Sequence, residues 1–233
     1  MSNGLSPKKL RIGVMLEEVQ LSDVVGVDVI GNLSREYLDQ VKNLNPAWAA
    51  FEKHAIDTEF FYLATTLDTV RVTPGVRIMP TVTYDDCPRD LDIVLIGGPS
   101  LTHRPPQADK FIKEAWTKTR VWWTTCVGSM WLASSGVLEG KKCATNREAL
   151  DIAKKIHPGV EWLDQRWVIE EKPYDGVGKG ELWTSGGAGA GLHMIINYCL
   201  KNFNPEFVDA LVLKPLEFRL DGNVGQFYLP ESQ

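Results

Sequence analysis

Long apolar runs and clustered positive charge are both missing from this 233-residue sequence. No uninterrupted apolar run approaches the ~18 residues that a membrane-spanning helix needs. Acidic residues outnumber basic ones by 30 to 25, and lysine and arginine form no stripe, which argues against a nucleic-acid surface. The amino-terminal segment lacks the apolar core of a signal peptide. We therefore expect a cytoplasmic protein with neither a membrane nor a nucleic-acid partner.

Cysteine and histidine are scarce too, with four of each in the chain. The cysteines are far apart and include no C-x-x-C pair, so they predict neither a zinc site nor a disulfide framework. We expect reduced thiols, no bound metal and no organic cofactor. The four cysteines are Cys87, Cys126, Cys143 and Cys199.

The composition is that of an ordinary soluble domain, with 44% hydrophobic and 24% charged residues. A chain of this length can bury a substantial core in one large α/β domain. We interpret residues 1–233 as a single domain. Residues 1–9 are expected to be flexible, and residues 203–233 are expected to form a carboxy-terminal extension that packs on the domain.

Two apolar segments predict buried parallel strands. Residues 92–98 and residues 121–129 each begin with a mainly apolar run and end in a turn, with two glycines at the first turn and Cys126 at the second. Unbroken apolar segments are typical of strands that are covered on both faces. Residues 105–118 between them predict a crossover helix, which makes a right-handed βαβ unit. With a further strand at residues 10–16, the pattern predicts a doubly wound, mostly parallel sheet with helices on both faces.

Cys126 follows the second strand in a pattern that is typical of a nucleophile elbow. A short apolar run, a small reactive residue, a glycine and a helix-forming segment occur in that order, with sulfur in place of the usual oxygen. We expect the helix amino terminus to lower the pKa of the thiol. The glycine turn after the first strand favours this interpretation, because the N–H groups of Gly98 and Val127 would together form an oxyanion hole. The alternative is a buried, inert cysteine.

Asp23 has two interpretations. Either it caps a short helix after the strand at residues 10–16, or its carboxyl group lies at the same sheet edge as Cys126, where open α/β sheets bind ligands. Four further residues are candidates for a substrate pocket. The tryptophans among them have core packing as the alternative role, and the asparagine can also cap a helix. The four are Trp122, Trp123, Thr125 and Asn146.

Two patterns near the end of the chain are interpreted structurally. Residues 186–191 are rich in glycine and precede a predicted helix, which is where anions can bind. The run does not follow the first strand, as a dinucleotide-binding motif would, so we expect close packing of a strand against a helix instead. His193, within that helix, is interpreted as a packing or hydrogen-bonding residue rather than a catalytic base.

Four blocks of sequence, at residues 20–26, 92–99, 125–128 together with 136–142, and 183–191, carry a further signal. As a set and in this order, they resemble the ThiJ/PfpI superfamily, a flavodoxin-like group of cysteine proteins. That group includes the parkinsonism-associated deglycase, intracellular proteases and isonitrile hydratase. The resemblance implies a flavodoxin-like fold of the class I glutamine amidotransferase type with a nucleophile elbow. It also implies a homodimer that acts on a small molecule.

Two positions discriminate among the activities of that superfamily. Its protease-like and deglycase- or glyoxalase-like members usually have a glutamate where this chain has Asp23, and often a histidine where it has Asn146. A Cys-plus-Asp pair without histidine resembles isonitrile hydratase, whose threonine after the cysteine is replaced here by Val127. The resemblance therefore implies hydration of an isonitrile to an N-substituted formamide. In that reaction Cys126 would be the nucleophile and Asp23 the acid/base.

Two other functions stay open. A glyoxalase- or deglycase-like enzyme would act on methylglyoxal-type carbonyls, and it would need a histidine or glutamate that the sequence does not place. A non-enzymatic redox sensor or stress protein would instead use oxidation of Cys126 to a sulfinate that the neighbouring carboxyl group stabilises.

Overall fold

The computed structural model describes residues 9–218 and is organised around a seven-stranded sheet. Residues 1–8 and 219–233, which belong to the segments expected to be flexible and to extend the domain, lie outside the described residues. The strands in chain order are β1 (Leu10–Met15), β2 (Thr58–Ala64), β3 (Val70–Arg71), β4 (Arg77–Ile78), β5 (Val82–Thr83), β6 (Ile93–Ile96), β7 (Val121–Thr124), β8 (Lys142–Cys143), β9 (Glu161–Trp162), β10 (Trp167–Lys172) and β11 (Gly180–Ser185).

The main sheet has the strand order β10-β11-β7-β6-β1-β2-β5. Its neighbouring strands are parallel, except that β10 and β11 form an antiparallel hairpin. The prediction of a mostly parallel α/β sheet is therefore confirmed. The central strands β1, β6 and β7 are adjacent, so the segments that follow them begin at one edge of the sheet. Those segments contain Asp23, Gly98 and Cys126.

Helices cover both faces of this sheet. They are α1 (Leu21–Val24), α2 (Val27–Asn32), α3 (Arg35–Val41), α4 (Pro106–Ala115), α5 (Gly128–Ser134), α6 (Leu150–Ile156), α7 (Ala188–Asn202) and α8 (Pro205–Val208), with 3-10 helices at Pro46–His54 and Arg147–Ala149 and a π-helix at Asp209–Leu213. None of the helices between residues 9 and 218 is long and apolar enough to cross a bilayer.

Helix α4 is the predicted crossover between β6 and β7, and its sequence explains its orientation. Ala108, Phe111, Ile112 and Ala115 are fully buried, and their spacing places them on one helical face against the sheet. Charged residues of the same helix, such as Lys110, are exposed. This pattern turns the apolar face of α4 toward the core.

The glycine-rich run packs the start of α7 against the end of β7. A Cβ atom at Gly191 would overlap the side chain of Thr125, so this approach requires a glycine. The packing interpretation of the run is confirmed. Residues 203–218, the described part of the expected carboxy-terminal extension, also contribute to the core, because Phe207, Val208 and Leu211 are fully buried.

Candidate active site

Cys126 occupies a sharp turn between β7 and α5. Its φ is +58°, in the left-handed region that is unfavourable for a residue with a side chain. The strained backbone is held by three hydrogen bonds. Its N–H donates to the carbonyl of Gly186 at 2.6 Å, and its carbonyl accepts from the hydroxyls of Ser129 and Thr145 at 3.3 and 3.2 Å. A Cβ at Gly128 would contact the carbonyl of Ile96, which explains the glycine in the elbow.

Asp23 faces the elbow from α1. Its side chain is not the helix cap, because the cap position is Gln20 and that cap makes no side-chain hydrogen bond. Instead, Asp23 Oδ2 accepts the N–H of Gly98 at 3.0 Å, and its carboxyl group shares a hydrogen bond with the Cys126 thiol. Asp23 is only 2% exposed and Cys126 only 8% exposed. The structure thus joins the predicted nucleophile and acid/base in one buried pair.

Asn146 approaches the sulfur from the loop after β8. Its Nδ2 donates to Cys126 Sγ at 3.2 Å, and its Oδ1 accepts the N–H of Glu148 at 3.0 Å. Asn146 therefore caps the following 3-10 helix, as predicted, and contacts the candidate nucleophile at the same time. The N–H of Val127 donates a further hydrogen bond to the sulfur.

Burial dominates the electrostatics of the pair. It raises the pKa of Asp23 to about 6, and the hydrogen bonds from Gly98 and Cys126 offset only part of this effect. Burial also raises the pKa of the Cys126 thiol, and the nearby charge of Asp23 raises it further. The hydrogen bonds from Asn146 and Val127 act in the opposite direction. At neutral pH the pair therefore carries one proton, which lies on the sulfur.

This result corrects the expectation that the helix amino terminus lowers the pKa of the thiol. Helix α5 has only seven residues, and burial together with the carboxylate of Asp23 has the larger effect on Cys126. The sulfur becomes an anion most readily when its proton is transferred within the pair, because that transfer leaves the net charge of the buried site unchanged.

Gly98 has a different role from the one predicted. Its N–H is already hydrogen-bonded to Asp23, so Gly98 and Val127 do not form an oxyanion hole of two free donors. A Cβ at Gly98 would lie 2.8 Å from Asp23 Oδ2 and 3.2 Å from the Cβ of Cys126. The glycine is therefore needed for the close approach of the acid to the strand end.

Trp122 and Trp123 pack in the core instead of lining a pocket. They are 0% and 1% exposed. The Trp122 ring lies 6.4 Å from that of Phe111, and the Trp123 ring lies 4.9 Å from that of Tyr198. Phe111 belongs to α4 and Tyr198 to α7, so the two indoles lie on opposite faces of the sheet, as consecutive strand residues must.

Thr125 and His193 are also packing residues. The side chain of Thr125 contacts α7 at Gly191. The His193 ring lies 5.0 Å from that of Trp167, and its Nδ1 is 3.4 Å from Nη2 of Arg166. Burial lowers the pKa of His193, and the charge of Arg166 lowers it further. These contacts agree with the packing interpretation of this histidine.

Three residues that hold the elbow could not be identified from the sequence. Ser129, Thr145 and Gly186 fix the backbone of Cys126, yet nothing in their local sequence signals that contact. Between residues 9 and 218, no three His, Cys, Asp or Glu side chains are grouped as metal ligands would be. The side chains that the structure does bring together at Cys126 are a thiol, a carboxyl group and an amide.

Comparison with known proteins places these residues in a family. The model of the DJ-1/PfpI family matches residues 33–201, a range that includes Cys126 and Asn146 but not Asp23. Isonitrile hydratase of Pseudomonas putida is 30% identical over 130 residues, which are 54% of this chain and 52% of that enzyme. The matched region thus spans about half the length of this curated relative.

Solved structures show the same fold. A ThiJ/PfpI family protein from Pseudomonas syringae superposes with a TM-score of 0.70 at 18% identity, covering 94% of this chain and 82% of that chain. DJ-1 of Schizosaccharomyces pombe superposes with a TM-score of 0.60 at 17% identity, covering 90% of this chain and 100% of that chain. The family match and the shared fold confirm the resemblance seen in the sequence, and the chain belongs to the DJ-1/PfpI family.

Proposed function

We propose that the protein is a cysteine-dependent enzyme that adds water to a small apolar molecule, with an isonitrile as substrate and an N-substituted formamide as product. The observation that carries this proposal is the buried hydrogen bond between the Cys126 thiol and Asp23, whose pKa is raised to about 6. The 30% identity to isonitrile hydratase over half of that enzyme supports the same reaction.

The first step needs one proton and one nucleophile at the same atom. The terminal carbon of R–N≡C has a lone pair that takes up the proton held by the pair, and the thiolate of Cys126 then bonds to that carbon. The product is a thioimidate, R–N=CH–S–Cys126, and Asp23 is left ionised. Because the sulfur and the carboxyl group are hydrogen-bonded to each other, both can reach one substrate atom.

The second step regenerates the pair. Asp23 removes a proton from water while the water oxygen bonds to the thioimidate carbon. Asp23 then passes this proton to the substrate nitrogen. The resulting adduct, R–NH–CH(OH)–S–Cys126, then loses its hydroxyl proton to Asp23 as the C–S bond breaks. Formamide R–NH–CHO is released, and the pair holds one proton again. Water is consumed, no redox change occurs, and a single carboxyl group moves every proton.

The test is to incubate the purified protein with an aromatic isonitrile and to measure formation of the formamide by chromatography. We expect turnover by the wild type and none by Cys126→Ala. Asp23→Asn should lower kcat by at least about 100-fold, because general acid–base catalysis is lost. Matched controls are Cys87→Ala, a buried cysteine in the core, and Asp28→Asn, an exposed carboxylate on α2. Both controls should keep full turnover.

The proposal is wrong if the wild type gives no formamide while iodoacetamide still alkylates Cys126. The same preparation then discriminates between the two other functions. Consumption of methylglyoxal that depends on Cys126 would indicate a glyoxalase-like enzyme. Uptake of two oxygen atoms at Cys126 after peroxide treatment, without turnover of any substrate, would indicate a redox sensor.

A further inference from the structure

The loop after β8 is built to hold one side chain against the sulfur of Cys126. The N–H of Ala144 donates to the hydroxyl of Thr184 in β11 at 2.8 Å, which fixes the loop to the main sheet. The next residue, Thr145, donates to the carbonyl of Cys126 at 3.2 Å. Asn146 follows, and its position relative to the sulfur is therefore set by two anchors in the preceding two residues.

The orientation of the Asn146 amide is fixed as well. Its Oδ1 accepts the N–H of Glu148 at 3.0 Å, which leaves Nδ2 directed at Cys126 Sγ at 3.2 Å. The reversed amide would place its N–H₂ group against the N–H of Glu148 and its oxygen against the sulfur. The first contact would set two donors against each other, and the second would be repulsive once the sulfur is ionised. The amide therefore has one stable orientation, with its donor toward the thiol.

We propose that Asn146 is a positioning residue that orients the Cys126 sulfur and stabilises its anion by a permanent N–H donor, while leaving Asp23 as the group that exchanges protons with it. An amide donor strengthens when its acceptor becomes charged, so it favours the thiolate over the thiol. An amide also cannot take up the thiol proton, unlike an imidazole. The role rests on the proposed use of Cys126 as the nucleophile.

The charged groups around the sulfur are consistent with this assignment. Asp23 of α1 is the ionisable side chain whose charge acts on the thiol, and it raises the thiol pKa. Arg147, next to Asn146, forms an ion pair with Asp164 at 3.0 Å. The side chain of Glu148 is exposed, and its contribution to the site is its backbone N–H. Burial and the charge of Asp23 raise the pKa of the thiol, and the neutral amide of Asn146 is the side-chain contact that lowers it.

The test is the pH dependence of Cys126 alkylation by iodoacetamide, with the modified peptide quantified by mass spectrometry. Asn146→Ser keeps the cap on Glu148, because serine is a good cap residue, but its side chain is too short to reach the sulfur. Asn146→Ala removes both contacts. We expect both variants to move the midpoint of the alkylation profile upward by about one pH unit, which is about tenfold slower alkylation at any pH below the midpoint.

A merely structural role predicts a different pattern. If Asn146 only caps the 3-10 helix, Asn146→Ser will have the wild-type alkylation profile and Asn146→Ala alone will lower the thermal midpoint. That result would overturn the assignment. Asn204→Ser is the matched control, since Asn204 caps α8 in the same way through the N–H of Phe207 at 2.9 Å. Because alkylation needs no isonitrile, the assignment can fail or hold whether or not the proposed hydratase activity is found.

Discussion

Replacing Asp23 by asparagine should stabilise the fold while it removes activity. The carboxyl group is 2% exposed, and burial raises its pKa from 3.8 to about 6. Asparagine has the same shape, and its carbonyl oxygen can still accept the N–H of Gly98. The variant therefore removes the cost of a buried negative charge without opening a cavity. Functional groups that cost stability in this way are common in active sites.

The magnitude follows from proton linkage. Between pH 3.8 and about 6 the unfolded chain ionises at Asp23 while the folded protein keeps the proton. The unfolded state then binds fewer protons, so the free energy of unfolding decreases as the pH rises through this window and is constant above it. A pKa difference of about two corresponds to about 3 kcal/mol when the pH is well above both values. At pH 4 most of that penalty is absent.

The assay is urea unfolding of wild type and Asp23→Asn at several pH values between 4 and 8. We expect the free energy of unfolding of the variant, relative to the wild type, to increase by about 2 kcal/mol from pH 4 to pH 8. Asp28→Asn, on an exposed carboxylate, should show no such change. A difference between Asp23→Asn and wild type that does not depend on pH, or that decreases as the pH rises, would refute the raised pKa.

Three further outcomes can be measured. Gly191→Ala should cost about 1–3 kcal/mol in urea unfolding because its Cβ has no room, whereas Gly189→Ala, in open space on the same helix, should stabilise by about 0.5–1 kcal/mol. The one-proton state of Asp23 and Cys126 predicts a kcat/KM for isonitrile that rises with an apparent pKa of about 6 and falls only near the raised pKa of the thiol. Burial lowers the pKa of Lys172 from 10.5 to about 8, so the folded protein releases this proton before the unfolded chain does; the free energy of unfolding should increase as the pH rises between these values, and Lys172→Met should lack that increase.

The sheet was predictable because its central strands are unbroken apolar segments. The predicted strand-and-turn segments at residues 92–98 and 121–129 contain β6 and β7, and the crossover at residues 105–118 contains α4. The shared location of Asp23 and Cys126 was predictable too, because adjacent parallel strands bring the segments after them to one sheet edge. Strand order and the edge at which ligands bind are general properties of the fold.

The details within the site were not predictable in the same way. Whether Gly98 donates to an oxyanion or to Asp23 depends on how closely two segments approach that are 75 residues apart in sequence. The pKa of Cys126 depends on how much burial opposes the short helix α5, and burial is a property of the whole fold. For Trp122 and Trp123, strand alternation already implied that they could not both line one pocket.

The proposed hydration of an isonitrile makes use of the single proton that Cys126 and Asp23 share. Isomerising a dicarbonyl requires a base that moves a proton between neighbouring carbons, and because Asn146 cannot be that base, such a reaction would also have to use Asp23. Hydrating an isonitrile requires a proton and a nucleophile at one carbon, where that proton stays as the formyl hydrogen, and a proton from water then returns the pair to its starting state. Cys126 and Asp23 hold one proton between them at neutral pH and lie within hydrogen-bonding contact. Val127 adds no hydroxyl to this arrangement, so in the proposed reaction Asp23 activates the water, and the alkaline limit of turnover should report the thiol alone.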